Sequence, residues 1–509
     1  MKKKLKSKKT KVARKKHGKK QNEGAKRKFY ITTPIYYVND VPHIGHAYTT
    51  IVADAVARWH RLKGEKVFFL TGTDEYGKKM ESAAAAAGKR PQEFVDSVVR
   101  RFQEAWRILQ ISNDDFIRTT EERHSKVVAQ VIKALDKAGD IYKGDYEGWY
   151  CMPDESFWTE TQLVNGKCPQ CGREVEKVKE KSYFFRLGKY QKALLDFYSK
   201  NPGFISPSHR KQEIINRVQA GLKDLSITRE SVRWGIPFPL EKNHVIYVWV
   251  DALSNYLSAI DYPGKKFKEL WPADLHLMAK EILWFHSVIW PAMLMSCKLP
   301  LPKRVFAHGW LTIDGQKMSK SLGNVVDPVK LSQKYSVDAV RYFLMREIPL
   351  GDDGDFSEKA LIQRINGELV SDLGNLASRV LTLAEGMKEA QGKDELSKNL
   401  PLGRIEGRME RLELHHALMD IFNFMRSVNK YINEKEPWKL EGKAKEQVLY
   451  NLLESLRVIS ILVSPFMPQT AEKLSSQLGV KLGTFRDLRF RSKWTGNPRK
   501  GEHLFRKVK

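Results

Sequence analysis

The sequence predicts an α/β protein, in which a parallel-sheet domain is split by an inserted segment and followed by an α-helical bundle. Three observations carry this reading. Lys28–Thr33, an apolar helical pattern after His46, and Val67–Leu70 read as strand, helix, strand, the unit that builds a parallel sheet. Residues 140–235 then change character, with more glycine, short mixed strands and three of the four cysteines. After Asp355 the pattern turns helical to about residue 480, with stripes such as Ile421, Met425 and Val428 that suit a packed bundle.

The first helix has apolar residues at Ile51, Ala55 and Trp59 and is closed by Gly64. Val67–Leu70 runs directly into Thr71-Gly72-Thr73-Asp74. Polar residues at the carboxyl end of a strand are where an open, Rossmann-type sheet holds its ligands. Ala83–Ala87 reads as a helix ended by Gly88 and reset by Pro91, and residues 93–139 read as helical. Val245–Val250 reads as a buried strand that restarts the sheet. Residues 274–312 give a strand, an apolar helix and a strand leading into a glycine-flanked loop. The expected organisation is a basic disordered tail (1–28), two sheet halves (29–139 and 236–325) around a connective insertion (140–235), a linking subdomain (326–365), a helical domain (366–480) and a basic end (481–509).

At 509 residues the chain is too long for one core and should hold two to four domains. It has no run of about 18 apolar residues, so no membrane span is expected. The net charge of +28 suits a polyanionic partner. Residues 1–28 hold 15 Lys or Arg against one Glu, half of that charge. This tail lacks an apolar segment and so is not a secretory signal. It reads as a solvated charged run or as an electrostatic aid to RNA binding through counterion release. Four cysteines, three of them clustered, suggest a reducing compartment and a metal site rather than a disulfide framework.

Two short strings carry the chemistry. His43-Ile44-Gly45-His46 sits between the first strand and the first helix. The two histidines, three apart, share one face of the first helical turn. Gly45 lets a phosphate approach the backbone, and a helix N-terminus offers unpaired N–H groups and a positive dipole. Two imidazoles there can donate to a phosphate as its charge grows in the transition state. Far downstream, Lys317-Met318-Ser319-Lys320-Ser321 lies between Gly315 and Gly323, behind His308-Gly309-Trp310. Two ammonium groups three apart can close on a leaving pyrophosphate. The chain has neither a Gly-x4-Gly-Lys-Ser/Thr loop nor a kinase motif set, which disfavours those ATP-using classes.

These strings resemble the HIGH and KMSKS motifs of class I aminoacyl-tRNA synthetases. Thr33-Pro34-Ile35-Tyr36-Tyr37-Val38-Asn39, Thr71-Gly72-Thr73-Asp74-Glu75, Val248-Trp249-Val250-Asp251-Ala252, Trp284-Phe285-His286 and Asp372–Arg379 are similar to the methionyl-tRNA synthetase family in particular. The resemblance runs from about residue 28 to about 480. It implies ATP-dependent activation of L-methionine and its transfer to the 3′-terminal ribose of tRNA(Met), initiator and elongator, with Mg²⁺ accompanying ATP. It implies that His43, His46, Lys317 and Lys320 are catalytic, and that Gly45, Glu281, His308, Gly309 and Lys320 contact ATP. Asp74 would hold the substrate ammonium. Ile35, Tyr37, Trp249, Ala252, Tyr256 and Phe285 would line the side-chain pocket, with His286 near the sulfur. Aromatic rings suit a polarizable thioether, each contact being worth about 0.3–1.5 kcal/mol, and Tyr O–H and His N–H can donate to one.

The connective segment looks too short for the second, editing sieve that the leucine, isoleucine and valine enzymes of this class need. No cysteine precedes His43, as a cysteine enzyme would require. Two positions depart from the family's usual pattern: Ala279 stands where Gly is usual and Glu281 where Asp is frequent.

Cys168-Pro169-Gln170-Cys171 is a CxxC knuckle, with Cys151-Met152-Pro153-Asp154 upstream. The family pattern would place a cysteine at Asp154. Zinc accepts carboxylate oxygen, so Cys151, Asp154, Cys168 and Cys171 form a candidate structural Zn²⁺ site. In the helical part, Asn375 and Arg379 lie four apart on one face, and Trp438 follows Pro437. By resemblance these three read the anticodon, with Trp438 as a stacking platform. The remaining expectations are a monomer, no membrane partner and a cytoplasmic location.

Overall fold

The computed structural model describes residues 27–509 except 153–155, 159, 170 and 318–322. Residues 1–26 of the basic tail, Asp154 and Lys320 therefore lie outside the described residues. β1 (Lys28–Tyr37), α1 (Ile44–Leu62) and β2 (Lys66–Asp74) form the expected unit. After α2 (Lys78–Ala86) and α3 (Pro91–Ile108) comes β3 (Asp115–Arg118), then α4 (Glu122–Lys137). The expected helical run 93–139 is thus broken by a strand. Four residues are too few to show alternation, and β3 forms because it pairs parallel with β2, Leu70–Thr73 against Asp115–Arg118.

The connective region is built on β4 (Ile141–Cys151), β5 (Ser156–Trp158) and β6 (Glu176–Phe185). Next come α5 (Gln191–Lys200), β7 (Ile205–Ser206), α6 (Ser208–Gln219), β8 (Leu225–Ser226) and β9 (Thr228–Arg229). The order β5-β4-β6-β8 makes one antiparallel sheet. β7, although inside the 140–235 segment, pairs parallel with the main sheet, so insertion and sheet interleave.

The expected strand Val245–Val250 is corrected. Only Val245–Ile246 is extended, as β10, antiparallel to β9 and outside the main sheet. Val248–Leu253 is helix α7, followed by α8 (Asn255–Ser258) and α9 (Lys265–Leu270). A short apolar run fits a buried helix as well as a strand, and here burial on every side of Val248–Leu253 made the run continuous.

β11 (Leu275–Ala279), α10 (Trp290–Ser296) and β12 (Val305–His308) complete the main sheet, whose order is β3-β2-β1-β11-β12-β7, parallel throughout. Chain direction across the sheet reverses between β1 and β11. The crevice outside the carboxyl ends of those two strands is the switch point where such sheets bind ligands. One sheet face, with Ile31, Phe69 and Leu277, packs on α1 and α3; the other, with Tyr30, Phe68 and Met278, packs on α4 and α7.

A hairpin of β13 (Leu311–Ile313) and β14 (Gln316–Lys317) leads to α11 (Pro328–Tyr335), α12 (Val337–Glu347), β15 (Gly354–Phe356) and α13 (Glu358–Arg364). A π-helical stretch, Ile365–Gly374, opens into α14 (Asn375–Leu383). The bundle continues with β16 (Glu389–Gln391), α15 (Leu402–Arg411), α16 (Leu414–Lys435), α17 (Gly442–Val463), α18 (Pro468–Leu478) and β17 (Lys493–Thr495), which pairs back onto β16. The bundle core is continuous with the α1 side of the sheet. Arg341 ties the two: fully buried, it meets Asp54 of α1 at 2.7 Å and donates to the carbonyls of Leu109, Pro465 and Phe466. Losing the Asp54 carboxylate would leave the buried Arg341 charge without an ionic partner, which costs about 3–5 kcal/mol, whereas Asp54 also pairs with Arg58 at 2.7 Å.

Candidate active site

His43 is the N-cap of α1 and His46 its third residue, and their rings stack at 3.8 Å. Gly45 N donates to His43 Nδ1 at 3.1 Å, and His43 N donates to His46 Nδ1 at 3.3 Å. Each Nδ1 is therefore an acceptor, which puts the proton of each neutral ring on Nε2. Burial, then His43 and Lys79, hold His46 well below the usual histidine range, so it is neutral near pH 7. The local sequence has thus built two N–H donors at a helix N-terminus.

His308, expected to contact ATP, ends β12. Its Nδ1 donates to the Gly309 carbonyl at 2.7 Å and its Nε2 meets the Thr49 hydroxyl at 2.7 Å. The ring is buried and its pKa is pushed down to about 4 by that burial. It positions α1 against β12. Gly309 is glycine because a Cβ there would lie 2.2 Å from the Asp352 carbonyl oxygen. Glu281 accepts from the Trp310 indole at 2.9 Å, while Lys280 lies over the same ring at 4.1 Å and pairs with Asp353. The longer side chain of Glu281 thus reaches the link between β12 and β13. Lys317 is placed by pairing of its backbone with Thr312.

Asp74 ends β2, buried, opposite Tyr37 on β1. A register irregularity between Thr32 and Ile35 turns the end of β1 toward the crevice. Gly72 permits the close β2–β3 approach, since a Cβ there would lie 2.1 Å from the Ile117 oxygen. Around this point Ile35, Tyr37, Asp74, Trp249, Ala252, Tyr256 and His286 line one cavity. Phe285 stands behind it and stacks on Trp249, centroids 3.7 Å apart and planes 7° apart. Pro34, Leu253 and Asn255 also line the cavity and were missed. Asn255 follows Ala252 by three on the α7–α8 turn, a spacing that could have revealed it. The void is about 20 Å³, room for roughly one water. Phe285–Ile289 is a π-helical turn, a local geometry frequent at functional sites.

In the connective sheet the Sγ atoms of Cys151, Cys168 and Cys171 lie within 4.8 Å of one another, Cys151 and Cys171 at 3.5 Å. Four sulfurs at the zinc bond length of about 2.3 Å would stand roughly 3.8 Å apart, so the three fit a tetrahedral ion. The knuckle closes through Gly172 N donating to Cys168 O at 2.8 Å, with Gly172 at φ +71°. Asp154, the expected fourth ligand, lies outside the described residues.

Some way off, Asn375 and Arg379 line a groove of about 690 Å³ between α14 and α16. Arg379 donates to Asn433 at 2.7 Å, and its guanidinium lies 5.9 Å from the ring centroid of Trp438, which is half exposed. Arg426, Asn429, Lys430 and Asn433 line the opposite wall and were missed. Their spacing of three and four puts them on one face of α16, a signal that was legible.

The model of class I (M) tRNA synthetases matches residues 29–180 and 173–381. A methionine–tRNA ligase of Caldanaerobacter subterraneus subsp. tengcongensis is 50% identical over 95% of this chain and 79% of its own length. This chain belongs to the methionine–tRNA ligase family. A second methionine–tRNA ligase, of Thermotoga maritima, is 49% identical over 88% of the chain and 74% of its own length. The family's Mycobacterium tuberculosis methionyl-tRNA synthetase, solved in complex with methionyl-adenylate, superposes with a TM-score of 0.90 at 41% identity, covering 94% of this chain and 99% of that one. The anticodon-binding domain of tRNA ligases matches residues 402–500. Among the described residues no helix is long and apolar enough to cross a membrane.

Proposed function

We propose the following division of labour for methionine–tRNA ligation by this chain. The methionine ammonium binds Asp74, and its side chain enters between Trp249, Tyr256 and the Ile35–Tyr37 edge. ATP arrives as its Mg²⁺ complex, the ion held largely by phosphate oxygens and water. The substrate carboxylate attacks the α-phosphorus, the bond to the bridging oxygen breaks, and pyrophosphate leaves. The Nε2 donors of His43 and His46 hold phosphate oxygens as charge grows, and Lys317 and Lys320 close on the leaving pyrophosphate. No protein nucleophile is required, and positioning supplies the rate. A hydroxyl of the 3′-terminal ribose then attacks the adenylate carbonyl and AMP leaves.

The observation that carries this reading is the convergence of seven expected residues on one cavity at the sheet's switch point, beside the stacked histidines. Asn375, Arg379 and Trp438 read the anticodon of initiator and elongator tRNA(Met). Cys151, Cys168 and Cys171, with Asp154, hold a structural zinc that braces the tip of the connective sheet. One chain carries both substrate surfaces, which suits a monomer, and thiols kept for a metal suit the cytoplasm. ATP–pyrophosphate exchange without tRNA, run against each amino acid, tests the core of this reading. Exchange with methionine alone is expected. Exchange with another amino acid alone overturns the pocket assignment, and none from folded protein overturns the adenylation step.

A further inference from the structure

Arg217 is an exposed arginine near the end of α6 that nothing above uses. Its guanidinium carbon lies 3.8 Å from the ring centroid of Trp284 and 5.8 Å from that of Trp158. A planar cation held on aromatic faces loses little freedom and keeps its N–H edge available. Among the described residues no carboxylate pairs with it. Its acidic neighbour Glu213 is the partner of Arg210 at 3.4 Å.

The place matters as much as the group. Trp158 lies on β5 of the connective sheet, and Trp284 immediately precedes Phe285, whose ring backs Trp249 in the methionine cavity. α6 packs on the π-helical turn that carries Phe285. At its other end Arg210 acts on Asp353, which is bound to Lys280 and to the backbone N–H of Trp310. α6 therefore spans the border from the link between β12 and β13 to the back of the methionine cavity.

We infer that Arg217, stacked on the partly exposed Trp284 beside the buried Trp158, is a contact for the single-stranded 3′ end of the tRNA, binding a backbone phosphate through its N–H edge while an unstacked base lies against the Trp284 indole. This rests on the ligase reading above. The chemistry follows from the parts: a guanidinium edge recognises phosphate, and indole faces take single-stranded bases without regard to sequence. Because α6 lies outside the methionine and ATP contacts, the contact serves transfer and not adenylation.

The test uses the full chain with Arg217→Ala and Arg217→Lys. Two rates are measured: ATP–pyrophosphate exchange with methionine, and single-turnover transfer from preformed methionyl-adenylate to tRNA(Met). Exchange should stay within about twofold, while transfer kcat/KM falls roughly tenfold in Arg217→Ala, the size of one charged hydrogen bond. Arg217→Lys should recover only part, since lysine keeps the charge but not the stacked plane. Tightness of binding to tRNA lacking its single-stranded 3′ nucleotides supplies the second arm. Truncation should weaken binding to the unmodified protein more than to Arg217→Ala. Unchanged transfer, an equal truncation penalty in both proteins, or a parallel fall of exchange and transfer would each overturn the proposal. Failure of the unmodified protein to exchange with methionine would instead strike the ligase reading itself.

Discussion

The Tyr256 hydroxyl lies 2.7 Å from Nε2 of His286, whose Nδ1 lies 2.9 Å from the Ile282 carbonyl oxygen. A carbonyl only accepts, so Nδ1 carries the proton. Burial pushes the ring's pKa down to about 4, which keeps it neutral, so Nε2 accepts and Tyr256 donates to it. In this arrangement the Tyr256 proton is engaged by His286 and the His286 proton by the Ile282 carbonyl. The pair frames the pocket. Tyr256→Phe should raise the KM for methionine about fivefold, the worth of one buried hydrogen bond. It should leave the ratio of exchange rates for methionine and its isostere norleucine unchanged. A collapse of that ratio would show that Tyr256 does donate to the sulfur.

Stability should fall with acid over a defined window. His286 and His308 are both buried with pKa values near 4, against an ordinary value near 6.5. Between those values the unfolded chain binds protons that the folded chain refuses. Their contribution is therefore complete above about pH 6.5 and is lost as pH falls toward 4, on the order of 1–3 kcal/mol per histidine. Tm measured from pH 7.5 to 4.5 should be flat above 6.5 and drop below it. A flat profile down to pH 4.5 would contradict their neutral burial.

The cysteine cluster predicts about one zinc per chain by elemental analysis, lost on prolonged chelation or in Cys171→Ser. Proteolysis should then begin within residues 151–171, where the sheet tip depends on the knuckle. Far-ultraviolet helix content should hardly change, because the helices lie in other cores. Purified protein with negligible zinc and an unaltered cleavage pattern would refute a structural metal.

Arg379 lines the groove between α14 and α16, and Trp438 stands beside it, its ring centroid 5.9 Å from the guanidinium. Arg379→Ala and Trp438→Ala should each cut kcat/KM for tRNA(Met) by roughly 10- to 100-fold, as expected for one stacked base or charged contact. Pyrophosphate exchange should be untouched. If tRNA(Met) and a tRNA with an altered anticodon lose rate equally in Arg379→Ala, the residue reads no base.

Local signals were strong where residue type alone fixes geometry. His43-Ile44-Gly45-His46 reads as a helix start because its backbone amides need acceptors, and the imidazoles supply them. Cys168-Pro169-Gln170-Cys171-Gly172 reads as a knuckle because glycine turns the chain at positive φ. Asn375 and Arg379 share a face by helical spacing, and Arg426, Asn429 and Asn433 could have been added on the same ground.

Sequence by itself determined the class: a βαβ start, a histidine-bearing helix start, a glycine-flanked lysine string and a helical tail domain, each a short-range consequence of its own residues. Tertiary structure alone decided the rest. Val248–Leu253 is helix because its apolar run is enclosed on all sides, and period carries no information when every face is buried. Asp115–Arg118 and Ile205–Ser206 are strands only through partners far along the chain. The His308 ring is held by Thr49, 259 residues away in the chain. The proton positions on Tyr256 and His286 followed from a single carbonyl on Ile282. Such outcomes are set by which distant groups compete for the same hydrogen bond, a competition that exists only after the chain has folded.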